Sequence, residues 1–303
     1  MDYGKEKSGN ILGYVTHDIV DKFGRLLLAE GSPLTQKIAQ KLEKRQVPFR
    51  VSKEPPGCNT GKPAGESFRY TTALKVPSKL DEKFNKLDGA AIARAASYMN
   101  LILRQVQKDF FLNNTIKVLA QNHKATYSHS INVSLIAVAI AQKLKYSRRA
   151  LREIALGALY HDIGKILLPK TVLDDLTGVQ EGQAMFYQQH TILGSDMLAA
   201  DKLPQAVCQV ARQHHEKYNG SGYPLEIGGG DIALNAAIVT VADVFDRTTS
   251  AIFTRNLLLP EEALQQILAA KGTDYHPEVV DRFLELFCKD SKIEDYLSII
   301  QEE

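Results

Sequence analysis

The 303-residue sequence predicts a mainly α protein in which a small mixed α/β module precedes a long helical part. Three observations predict it. From Thr126 onward, apolar residues recur at helical spacing almost without a break. Before residue 52, strand-like runs flank a single stretch of helical periodicity. Between the two parts, residues 52–67 (SKEPPGCNTGKPAGES) are rich in Pro, Gly and Ser and read as a flexible loop.

Taken in order, Ile11 to Val20 has strand character, and FGRLLLAEGSPLT is an apolar run bounded by glycine. Ser32-Pro33 marks a turn or a helix start. Thr35 to Arg45 has helical periodicity, with Ile38 and Leu42 on one face, and VPFRV is a closing strand. Pro77-Ser78 is a second boundary, so the first module is expected over 1–77. Lys79 to about Gln121 is dense in helix formers and predicts connecting helices over 78–122, leaving 123–303 as the last domain. There, helices are expected over roughly 127–144, 148–160, 180–199, 205–214, 232–249, 261–270 and 277–289. Pro204 and Pro260 sit where a first helical turn tolerates proline, and Glu261 and Glu262 suit the positive end of a helix.

Composition narrows the function classes. With 44% hydrophobic and 24% charged residues the chain is globular, and a net charge of +2 provides no basic field for a nucleic-acid polymer. Cys58, Cys208 and Cys288 form no CxxC pair, so neither a zinc knuckle nor a disulfide framework is expected and the thiols read as reduced. The polar N-terminus is no signal peptide, and the richest apolar run, Ile131 to Ala141, is too short to span a bilayer. A cytoplasmic protein with no membrane partner is the expectation.

Chemistry concentrates in histidine and aspartate. The eight histidines stand at 17, 123, 129, 161, 190, 214, 215 and 276. His17-Asp18 reads as a chance pair. His161-Asp162 ends an apolar helix, ALREIALGALYHDIGK, where an imidazole and a carboxylate need compensation. A metal ion is one solution and a hydrogen-bonded structural cap is the other. His214 and His215 are consecutive, about 100° apart on a helix, so both reach one ion only where the helix ends. The Gly-rich text KYNGSGYP ends it there; two solvated surface histidines are the bland alternative. His129 and His190 lie inside amphipathic helices, where either alone is an ordinary core or boundary residue. Asp243 sits in the apolar run AAIVTVADVFD and must be paired or bind something, and with Asp246 one turn on, the two acids need a nearby cation.

Together, HSINV at 129–133, HDIGK at 161–165, H-x3-G from His190 to Gly194, HHEKYNGSGYP at 214–224 and VADVFD at 241–246 resemble the HD-GYP family of HD-domain phosphohydrolases, over about residues 125–290. The resemblance implies a helical bundle around two metal ions, iron first and manganese second. It implies that His129, His161, Asp162 and Asp243 hold one ion, with Asp162 bridging to a second held by His190, His214 and His215. Imidazole and carboxylate donors suit such metals. Two ions about 3.5–4 Å apart can present a hydroxide in line to a phosphodiester. The implied activity is hydrolysis of cyclic di-GMP or a related cyclic dinucleotide, with Asp162 and Lys165 catalytic and Lys165 and Arg255 on the substrate phosphate. Tyr223 carries no catalytic role; Gly220 and Gly222 permit unusual backbone angles and Pro224 stiffens the exit.

The sequence also departs from the family pattern. Ala125 stands where some members carry a glutamate that completes a third metal site, so no third ion is expected. Asp174-Asp175-Leu176-Thr177 replaces a basic phosphate-holding stretch, and two acids repel a phosphate. Ile252-Phe253-Thr254-Arg255 replaces Arg-Pro-Tyr-Arg. These changes leave the metal core intact and alter the substrate shell, which makes a catalytically weak or inactive metal-binding signalling protein the alternative. A monophosphate nucleotidase is a third reading, which the full HHE–GYP text opposes. Residues 1–77 resemble the small domain before some HD-GYP domains, implying a regulatory or partner-binding role.

Overall fold

The computed structural model describes residues 11–16, 19–20, 26–28, 33–44, 47–52, 74–78, 80–168, 181–251, 253–254 and 256–287. Contacts divide the chain into two compact units, Met1–Thr72 and Ala73–Glu303. In the first, β1 (Ile11–Val15) runs between β4 (Pro33–Thr35) and β5 (Val51–Ser52), antiparallel to both. The strands β2 (Ile19–Val20) and β3 (Leu26–Leu28) pair with each other, and α1 spans Gln36–Lys44. Val15, Ile19, Leu34, Ala39, Leu42 and Val47 form its core.

The second unit is helical. A 3-10 helix, Glu82–Lys86, leads into α2 (Gly89–Val106) and α3 (Phe110–Asn122). The rest follows as α4 (Lys124–Lys143), α5 (Arg148–Tyr160), a 3-10 helix at Ile163–Leu167, α6 (Glu181–Ala200), α7 (Gln205–Gln213), α8 (Leu234–Thr248), α9 (Pro260–Ala269) and α10 (Pro277–Leu284). Capping residues set several of these boundaries. The Asp88 carboxylate accepts from Ala90 N and Ala91 N, Asp109 from Leu112 N, and the Ser147 hydroxyl from Ala150 N. Pro260 and Pro277 open α9 and α10 at first-turn positions, and Pro204 caps α7.

The helix α4 is the axis of this unit. Every residue from His129 to Ala141 is buried, because α2, α3, α5, α8 and α10 all pack on it. Residues 78–122, expected as connectors, contribute Ile92, Met99, Ile102, Ile116 and Leu119 to the same core. Among the described residues no helix is long and apolar enough to cross a membrane.

Candidate metal centre

The site forms where five elements meet around α4. His129 projects from α4, and His161 and Asp162 lie between α5 and the 3-10 helix that follows it. His190 comes from the middle of α6, His214 and His215 from the end of α7, and Asp243 from α8. His215 is partly buried, and the other six are buried. Gly164 allows the approach of α6, because a Cβ there would fall 2.0 Å from His190 O and 2.6 Å from Gly194 N. The glycines of HDIGK and H-x3-G thus press the two histidine-bearing segments together.

The seven side chains fall into two groups, His129, His161 and Asp243 in one and Asp162, His190, His214 and His215 in the other. Within each group the donor atoms lie within 4.8 Å of one another. Asp162 faces both groups. Its Oδ2 is 3.5 Å from His161 Nε2 and 3.9 Å from His129 Nε2. Its Oδ1 is 3.4 Å from His190 Nε2 and 3.8 Å from His214 Nε2. Asp243 Oδ1 lies 2.8 Å from His129 Nε2 and 3.9 Å from His161 Nε2.

The partners of the other ring nitrogens assign the tautomers. His161 Nδ1 donates to Ala158 O at 2.8 Å, His190 Nδ1 to Tyr187 O at 2.6 Å, and His214 Nδ1 to the carbonyls of Val210 and Ala211. His129 Nδ1 donates to Asp246 Oδ2 at 2.6 Å. The Nε2 of His161, His190 and His214 is then a lone pair aimed into the centre, while His129 Nε2 faces the Asp243 carboxylate at 2.8 Å. His190 Nε2 and His214 Nε2 face each other at 3.4 Å, and the buried Nε2 atoms of His161 and His215 have no hydrogen-bond partner among the described residues. Lone pairs converging out of water need a cation between them, and a divalent ion held by neutral imidazoles and carboxylates fits this set.

Electrostatics agree with that donor set at four of the five histidines. Burial pushes His190 down to about 4 and holds His161, His214 and His215 below the usual histidine range, so their imidazoles are neutral. Burial also pushes His129 down, but the Asp243 and Asp246 carboxylates outweigh it and raise the residue to about 9. For Asp162, burial raises the carboxyl while Lys165 and the surrounding histidines hold it well below the carboxylate range. Burial likewise raises Asp243, and Arg247 and His129 outweigh it.

Lys165, which reads from sequence as a phosphate contact, is buried here. Its Nζ donates to Asp162 Oδ2 at 2.5 Å and lies 5.1 Å from the centroid of the Tyr187 ring. Gly220 has the positive φ expected of it, +82°, but Gly222 is a correction. Its φ is not positive; a Cβ would fall 2.4 Å from Lys217 N and 2.5 Å from His215 O, so close packing demands the glycine. Tyr223 stacks on the His215 ring at 4.7 Å. Glu216 accepts from Leu225 N and Ile227 N and ties the GYP loop to the end of α7.

Three contributors were missed by sequence reasoning. The cation that Asp246 requires is Lys83, whose Nζ is 2.6 Å from Asp246 Oδ1. Arg247 stands 3.8 Å from Asp243 Oδ2 with its side chain 36% exposed. Phe253 packs edge-on against His129 at 4.9 Å. Only the acid pair at 243 and 246 signalled any of this, and it did not say which residue would answer. His276 packs against Tyr218, away from the seven. His17, Cys58, residues 174–177, Ile252, Arg255 and Cys288 lie outside the described residues.

The HD domain family model matches residues 113–279, more than half of the chain. Among curated proteins, the chain is similar to a cyclic di-GMP phosphodiesterase of Thermotoga maritima, 34% identical over 163 residues that cover 53% of this chain and 44% of the relative. It is similar to 3'3'-cGAMP-specific phosphodiesterase 2 of Vibrio cholerae, 28% identical over 73% of this chain and 43% of the relative. It is also similar to the cyclic di-GMP phosphodiesterase response regulator RpfG of Xanthomonas campestris, 34% identical over 50% of this chain and 41% of the relative. The chain thus spans less than half the length of these relatives. Among solved structures, an HDG"Y"P protein from Bdellovibrio bacteriovorus aligns with a TM-score of 0.47 at 23% identity, over 66% of this chain and 62% of that one. The family model leaves residues 1–112 unmatched, so an N-terminal mixed α/β domain draws no support from it.

Proposed function

The chain belongs to the HD domain family, with the motifs of its HD-GYP branch, and on that premise we propose that it is a two-ion phosphodiesterase acting on cyclic di-GMP or a related cyclic dinucleotide. The observation that carries this reading is Asp162, whose two carboxylate oxygens face two different sets of imidazoles. His129, His161 and Asp243 would hold one ion with Asp162, and His190, His214 and His215 the other. Iron is the first expectation and manganese the second. When bound, the two ions supply a nucleophile at neutral pH and neutralise charge on the phosphoryl oxygens.

The protein side chains prepare that centre. Backbone carbonyls hold the His161, His190 and His214 rings, and Asp246 holds His129, so each Nε2 is presented without rotamer search. Lys165 fixes Asp162 through one oxygen and puts a positive charge where an anionic substrate arrives. The partly exposed Arg247 offers a planar fork suited to a phosphodiester, and Arg255 is proposed as a second phosphate contact. We assign residues 1–77 to regulation or partner binding, 78–122 to connecting helices and 123–303 to the HD-GYP domain, in a cytoplasmic protein.

The alternative, a metal-binding signalling protein with weak or no turnover, is favoured by Asp174 and Asp175, which stand where the family carries basic phosphate contacts. One assay separates the two. Protein reconstituted anaerobically with iron, or with manganese, is incubated with cyclic di-GMP, cyclic GMP-AMP and cyclic di-AMP. Hydrolysis of one of them, abolished by chelator and by Asp162→Ala, is expected. Bound metal with no product from any substrate leaves the signalling reading, and protein that takes up no transition metal ends both.

A further inference from the structure

We propose that Lys83 is a positioning residue for the metal centre, acting through Asp246 on His129. Lys83 lies on the 3-10 helix Glu82–Lys86, outside the stretch that the family model matches. Its ammonium is nevertheless buried, 2.6 Å from Asp246 Oδ1 and 2.5 Å from the Ser250 hydroxyl, to which it donates. Asp81 approaches the same Nζ at 3.4 Å, and Asn132, on α4 three residues after His129, donates to Asp81 Oδ2 at 2.9 Å.

The two oxygens of Asp246 thus have separate partners. Oδ1 takes Lys83, and Oδ2 takes the Nδ1–H of His129 at 2.6 Å. Asp246 is fully buried, so removing its cation would leave an uncompensated carboxylate and free it to turn. The His129 ring is held by that carboxylate, and its Nε2 stands 2.8 Å from Asp243. Lys83 therefore fixes Asp246, Asp246 fixes the ring, and the ring presents one donor to the group of His129, His161 and Asp243. In the other group, His190 and His214 are held by backbone carbonyls, which a side-chain substitution at 83 does not touch. The effect of Lys83 is consequently confined to one of the two ions.

This inference rests on the two-ion reading and deepens it. The test is manganese binding alone, followed by elemental analysis after dialysis and by titration with paramagnetic detection of the free ion. The wild-type chain, Lys83→Met, Lys83→Arg and Ser250→Ala are compared, with circular dichroism as the fold control. The expected result is two ions per wild-type chain. In Lys83→Met one ion should be weakened about 10- to 100-fold and the other unchanged, the size of effect that outer contacts to a metal ligand have. Lys83→Arg should restore most of the loss, and Ser250→Ala should weaken the same ion several-fold. Two ions bound by folded Lys83→Met with wild-type affinity overturn the inference and leave the two-ion centre standing. If Lys83→Met does not fold, unchanged affinity in Ser250→Ala overturns it instead. A wild-type chain that binds no manganese removes the two-ion reading and this inference together.

Discussion

The two halves of the cluster differ at His129, since its neighbour His161 is held, like the histidines of the other half, by a carbonyl of its own helix. His190 and His214 donate Nδ1–H to carbonyls of their own helices, and burial keeps them and His215 neutral. His129 instead stands between two carboxylates, Asp243 and Asp246, with Lys83 and Arg247 behind them. The same side-chain type is therefore pushed down to about 4 at His190 and up to about 9 at His129. One half is ready to donate lone pairs. The other carries a proton that an arriving cation must displace, and its charge balance depends on residues distant in the chain.

The harshest challenge to this contrast is Asp162→Ala, since Asp162 faces both halves. Both ions should be lost, and phosphodiester hydrolysis should drop by on the order of a thousandfold or more. Elemental analysis and a single-turnover rate check this, and a variant that keeps both ions would remove Asp162 from the centre. Next in size is Asp243→Asn, which should empty the half containing His129 while the half containing His214 keeps its ion. Loss of both ions, or of neither, would erase the distinction between the halves.

Proton release sharpens the comparison. Calorimetric titration with manganese at pH 7, in buffers of different ionisation heat, should show about one proton released by one ion and about none by the other. Equal release would mean that the two environments do not differ. The metal-free chain should show the same asymmetry in its stability. The raised His129 stabilises fully below the ordinary histidine pKa of about 6.5, and its contribution is lost as pH rises through about 9. The lowered His190 works in the opposite sense, costing stability as pH falls from about 6.5 toward about 4. Thermal unfolding of chelated protein should therefore be most favourable to the fold near pH 6.5 and decline on both sides. The smallest effect is expected from Tyr223→Ala. It removes the ring stacked on His215, whose stacking contributes about 1 kcal/mol, a Tm shift of about 2–4 °C.

Much of this was legible in the sequence because the chemistry comes in short runs set in apolar helices. An imidazole and a carboxylate closing ALREIALGALYHDIGK, or an acid inside AAIVTVADVFD, announce that burial must be compensated. The helices carrying His161, His190 and Asp243 run within a few residues of where periodicity puts them. The need of Asp246 for a cation was also legible. Its identity was not, because Lys83 hydrogen-bonds Ser250 across 167 residues of chain and lies in a stretch that periodicity describes only as helix-forming. The roles of Gly164 and Gly222 were hidden for a similar reason. Each is a letter in a motif, but its cause is another backbone passing where a Cβ would be.

The sequence by itself determined the mainly helical character of the last two-thirds, because periodicity is a local property of the chain, and its motifs named the seven polar side chains only through their resemblance to the HD-GYP family. The resemblance already implied two groups joined by Asp162; only the tertiary structure decided the distances among the seven, that Lys165 turns inward to pair with Asp162, and that Lys83 balances Asp246. Apart from the Lys165–Asp162 pair, which is three residues apart, those are distances between segments far apart in sequence. They are set by how helices pack around α4, where backbone carbonyls, a glycine contact and a buried lysine leave each ring one orientation.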